Sequence, residues 1–141
     1  MTRALSLFAG VLAAIMAIRG IDYVTGNPHP SGPVGDDNLH MPIWWGSACI
    51  LTAIAVFYSV WRRKAEYLKN SALVAFAIYV MFAVQTYDTR MLPIPWPPED
   101  TRVVGDHLGF ATLWIGVAFT VWWREGKFRR RAEILEEKET T

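Results

Sequence analysis

Four uncharged, strongly apolar runs divide this chain, and short charged turns or proline-rich connections lie between them. The runs cover residues 4–18, 43–61, 70–87 and 108–123, and the first can continue past Arg19 to about residue 24. At about 1.5 Å of rise per residue, the second run nearly matches the roughly 30 Å hydrocarbon core of a bilayer. The first and last runs are shorter and call for flanking residues that reach the interface, or for local thinning. A water-soluble four-helix bundle would carry a polar face on every helix, recurring each turn. Runs 43–61 and 70–87 have no such face, only scattered Ser, Thr and Gln. The pattern predicts an all-α integral membrane protein of four transmembrane helices, arranged as two helical hairpins.

The punctuation gives the same divisions. All eight prolines fall in two segments, Pro28, Pro30, Pro33 and Pro42 in one and Pro93, Pro95, Pro97 and Pro98 in the other. Proline lacks an N–H and breaks regular ladders, so these segments are connections rather than spans. Residues 93–98 read as a stiff polyproline-type segment. Pro42 can open the second helix, where its missing N–H costs nothing. Asn70 or Ser71 is expected to cap the third helix and Asp106 the fourth. The predicted organisation is a transmembrane domain over 1–124, with spans at about 4–24, 43–61, 70–87 and 107–123. Loops follow at 25–42 and 88–106, and a charged tail at 125–141. Arg3 followed by an apolar run also fits a secretory leader, but Ile15 two residues before Ala17 spoils the cleavage site. A retained first helix is expected.

Charge changes the picture once it is divided by segment. The total of 14 Lys+Arg against 13 Asp+Glu gives a net +1 and argues against a nucleic-acid partner. Yet Arg3, the turn Arg62-Arg63-Lys64 with Lys69, and the tail from Arg124 to Lys138 hold eleven of the basic residues. The two loops carry only Arg19, Arg90 and Arg102, beside seven acidic residues. Cytoplasmic segments of membrane proteins are enriched in Lys and Arg, which predicts both termini and the 62–69 turn in the cytoplasm. Trp44, Trp45, Trp61, Trp122 and Trp123 fall at predicted span ends, as in an interfacial aromatic belt. A multi-pass protein of the cell (inner or plasma) membrane is expected. Arg62, Arg63, Lys64, Arg129, Arg130 and Arg131 are its expected contacts with anionic lipid headgroups. The tail turns acidic after Arg131, and Arg129 with Glu133 suits a helix that continues from the fourth span.

Candidate chemistry is sparse. Small residues recur at four-residue spacing, Ala9, Ala13 and Ala17 in the first helix and, in the fourth, Gly105 and Gly109, then Thr112, Gly116 and Thr120. In lipid, close backbone approach through small residues drives much of helix packing. These faces either pack the bundle or dock a partner or second copy. His40 and His107, with Asp37 and Asp106, are the weak metal candidates, because imidazole and carboxylate together bind Zn and imidazole ligates haem iron. No ligand-spacing motif accompanies them, so no cofactor is expected. The single cysteine, Cys49, excludes an intramolecular disulfide and any Cys-rich metal site. Arg19 is the one charge inside a span, and reaching to the interface or pairing with Asp22 one turn on would satisfy it. No catalytic residue is predicted.

A segment at 56–63, Val-Phe-Tyr-Ser-Val-Trp-Arg-Arg, resembles Val-Ala-Phe-Thr-Val-Trp-Trp-Arg at 117–124. Either two hairpins share an origin, or helices ending on the same side end alike. The layout is similar to that of many small four-pass proteins, including phage lysis or exclusion proteins and accessory subunits of bacterial respiratory complexes. It implies a non-enzymatic protein acting by contacts in and outside the bilayer, with Trp96 on a stiff loop as one contact. The alternatives are an oligomeric, holin-like pore lined by Ser47, Thr52, Ser59, Thr112 or Thr120, and a metal or haem redox protein at the loop side.

Overall fold

A computed structural model describes residues 1–25, 42–91 and 101–139. It is all-helical: α1 (Arg3–Thr25), α2 (Pro42–Trp61), α3 (Ala65–Met91) and α4 (Thr101–Glu139). Each contains a stretch long and apolar enough to cross a membrane, Arg3–Thr25, Ile43–Trp61, Ala65–Gln85 and Val104–Lys127. Pro42 stands first in α2, as its missing N–H allows. Loop residues 26–41 and 92–100 lie outside the described residues, and with them Asp37, His40, Trp96 and the expected polyproline segment.

Two helix starts differ from the sequence expectation. α3 begins at Ala65, so Asn70 and Ser71 are interior, and α4 begins at Thr101, so Asp106 is interior. The apolar run marks where lipid-compatible surface begins, whereas a helix begins where its backbone bonds begin. Here that is the bond from Leu68 N–H to the Lys64 carbonyl, 3.2 Å. α2 stops at Trp61, and a tight turn over 62–64 joins it to α3. Lys64 N–H donates to the Ser59 carbonyl (3.0 Å) and Arg63 N–H to the Val60 carbonyl (3.2 Å), the paired bonds of a Schellman cap. Arg63 holds the left-handed position of that cap at φ 53°, where glycine is the usual residue. At the far end, α4 runs unbroken into the charged tail, as the Arg129–Glu133 spacing suggests.

Consecutive helices pack together, α1 on α2, α2 on α3 and α3 on α4. Arg124 donates to the Thr2 hydroxyl (3.1 Å) and Lys69 Nζ to Glu125 Oε2 (2.9 Å). The N-terminus, the 62–64 turn and the middle of α4 therefore share one end of the bundle, the basic end. The ends of α1 and α3 and the starts of α2 and α4 form the opposite, loop end.

The core is built from small residues and rings. Ala9, Ala13 and Met16 of α1 and Cys49, Ala53 and Val56 of α2 are buried. So are Ala72, Ala75 and Tyr79 of α3 with Ala111, Trp114 and Val117 of α4. At the loop end α1 and α2 touch backbone to backbone. A methyl added at Gly46 would stand 2.6 Å from the Gly20 carbonyl oxygen, and one at Gly20 would stand 2.8 Å from the Gly46 oxygen. Only glycine permits that approach. Outside the core the surface is apolar. Leu7, Trp44, Leu51, Ile54, Phe57 and Phe119 are all exposed, and no span is more than 39% buried within the protein.

Candidate functional site

All four helices contribute to a cluster at the loop end. Arg19 sits on α1 beside Gly20, so the close α1–α2 contact fixes its backbone. Its Nη1 lies 3.0 Å from Nδ1 of His107 on α4. A guanidinium only donates, so Nδ1 accepts and His107 carries its proton on Nε2. The Arg19 Cζ stands 5.2 Å from the centre of the Phe110 ring and 5.7 Å from that of Tyr79. Both distances fall within the range of cation–π attraction. Tyr79 and Phe110 stack at 5.2 Å, and Tyr23 stacks on Phe82 at 5.5 Å. Trp45 of α2 and His107 each pack their rings 5.5 Å from Phe82.

The cluster has a marked charge imbalance. His107 is 5% exposed and, as the acceptor for Arg19, neutral. Among the described side chains no carboxylate lies within ion-pair distance of Arg19. The guanidinium is half-buried and keeps donors beyond the one on His107. Two buried polar groups, the Tyr79 hydroxyl and the Trp114 Nε1–H, have no hydrogen-bond partner among the described residues.

The candidates named from sequence separate here. His107 is held by Arg19, 88 positions away, and Arg19 thus reaches across the bundle rather than along its own helix to Asp22. Asp106, next to His107, is exposed. His40 and Asp37 are outside the described residues, and among those described no three His, Cys, Asp or Glu side chains group as a metal site. Cys49 is buried in the α1–α2 contact. Ala9 and Ala13 are buried and Ala17 is partly so, which places the α1 small residues in bundle packing.

The α4 small residues face the other way. Gly105, Gly109 and Gly116 are exposed, and a methyl added at any of them would meet nothing within 4 Å. With about 100° between successive residues, these three and Thr112 fall in one stripe roughly opposite His107, Ala111, Trp114 and Val121. That second line is the buried face. At the basic end, Arg62, Arg63, Lys64, Arg130 and Arg131 are exposed, while the Arg129 side chain is outside the described set.

Gly20, Gly46, Tyr79 and Trp114 were not singled out from sequence. The two glycines had a readable signal: they lie at equal distances from the middle of the first loop, where an antiparallel hairpin brings equal depths together. Tyr79 and Trp114 had none, since an aromatic residue in an apolar run shows no preferred side.

Compared with protein-family models, with curated proteins and with solved structures, the chain matches none. Its class rests on the four helices long and apolar enough to cross a membrane, the arrangement of a multi-pass membrane protein.

Proposed function

We propose that this chain spans the cell membrane four times, with its basic end in the cytoplasm, and acts through contacts made inside the bilayer by α4. The observation that carries the reading is the glycine stripe Gly105–Gly109–Gly116, exposed and unfilled on the side of α4 away from the bundle. Lipid tails fill such a shallow groove less well than a helix backbone does, and close approach adds dispersion along its length. A repeat of small residues is self-complementary about a two-fold axis, so a second copy is the occupant proposed. The exposed ring cluster Phe119, Trp122 and Trp123 continues the same helix towards the basic end, where Trp belongs at an interface.

The expected result is a particle of twice the chain mass in mild detergent, measured by light scattering with detergent subtracted. Gly109→Leu should return it to one chain without loss of helicity, since nothing within the protein stands near that position. A bare monomer for the unaltered chain, with no associated polypeptide, would end the proposal. Orientation is tested separately: alkaline phosphatase fused after residue 139 should be inactive, and activity would reverse the topology.

The pore reading draws less support from the site. Thr112 and Thr120 donate their hydroxyl protons to the Leu108 and Gly116 carbonyls, and Ser59 donates to Ala55. Thr52 and Ser59 are buried as well. Three of the five lining candidates, Ser59, Thr112 and Thr120, are thus already engaged with their own helices.

A further inference from the structure

We propose that Arg19 holds the phosphate of a phospholipid headgroup at the loop end of the bundle. The inference rests on the membrane-spanning reading and adds a lipid site to it, at the end opposite the basic residues. A half-buried guanidinium in hydrocarbon is costly unless its charge is met, and a neutral imidazole meets only one of its donors. The two ring faces at 5.2 and 5.7 Å offset part of that cost but accept no in-plane hydrogen bond. Among the described side chains the geometry offers no anion that presents two oxygens to this planar fork. Carboxylates and phosphates have that shape.

Depth favours the phosphate. Arg19 lies about 24 Å along α1 from Arg3, so the side chain starts just below the far border of a core roughly 30 Å thick. From there an arginine reaches the headgroup layer, where phosphates are present at every position around the protein. A partner's carboxylate would have to be carried to the same depth at its own desolvation cost. The structure also leaves a way in. α1 and α4 are not among the closely packed helix pairs, and side chains join them at either end, Arg19 to His107 and Arg124 to Thr2. A lipid seated along this seam would place its phosphate at Arg19 and its acyl chains against exposed apolar residues such as Phe8.

The test uses the full chain in vesicles of phosphatidylcholine with phosphatidylglycerol, the latter carrying a photoreactive headgroup, and maps the labelled peptides. Label is expected on peptides around residues 19 and 107, and separately around Arg62 and Arg63 at the other end. Arg19→Gln should reduce the loop-end label about tenfold, the scale of a lost charge-assisted hydrogen bond. The label at Arg62 and Arg63 should stay unchanged, which shows the variant is folded and inserted. Arg19→Lys should retain most of the loop-end label. Equal loop-end labelling in the unaltered chain and Arg19→Gln overturns the proposal, as does its absence in the unaltered chain. Equal loss in Arg19→Lys and Arg19→Gln also overturns it, and displacement by inorganic phosphate would make a free anion the ligand instead. Release of the protein by alkaline carbonate would instead refute the spanning reading itself.

Discussion

At the scale of single residues, the loop end depends on two glycines and one histidine. Gly20 and Gly46 let two backbones touch, and any side chain there must push the helices apart. Gly46→Ala should therefore destabilise the protein by about 1–3 kcal/mol, as overpacking does elsewhere. Unfolding in a graded mixture of mild and denaturing detergent, followed by circular dichroism, measures it; no change would mean the hairpin opens without cost. Arg63 supplies a contrasting case. It occupies a left-handed conformation that costs a residue with a side chain about 1 kcal/mol. Arg63→Gly should stabilise the protein by a similar amount in the same assay, and destabilisation would show that the Arg63 side chain contributes something its backbone does not reveal. Tyr79→Phe removes a buried hydroxyl that has no partner among the described residues, so it should be neutral or slightly stabilising, whereas most core truncations destabilise.

At the scale of elements, the four long apolar helices were legible and their ends and contact faces were not. A helix surrounded by hydrocarbon is apolar on all sides, so the sequence records its length but not which side meets its neighbour. Arg19 shows the consequence: its charge stood out in the run, yet nothing local indicated that His107 on another helix would receive it. The starts of α3 and α4 were misplaced for a related reason. Asn70, Ser71 and Asp106 have the right chemistry for caps, but the first turn of each helix carries a charge, Glu66 or Arg102, and so lies outside the uncharged run. The α4 glycines were legible as a pattern, while their direction, away from the bundle, required the fold. The ion pair Lys69–Glu125 links α3 and α4 at the basic end with both side chains about a quarter exposed. Lys69→Ala should cost less than about 1 kcal/mol, because pairs open to solvent contribute little. A larger loss would make that pair a principal tie between the helices.

At the scale of the whole molecule, the near-neutral net charge of +1 conceals a polarised protein. The basic residues gather where the N-terminus, the 62–64 turn and the middle of α4 meet. The opposite end is aromatic, and among the described side chains Arg19 there is met by rings and a neutral imidazole rather than by a carboxylate. Between them lies an apolar exterior that includes the shallow α4 glycine stripe, and the proposed function rests on that stripe. The most direct test is disulfide crosslinking in native membranes on a Cys49→Ala background. Gly109→Cys, on the outward stripe, should give a crosslinked pair of chains, and Ala111→Cys, on the buried face, should not. Crosslinking at neither position, or equally at both, would contradict self-association through α4.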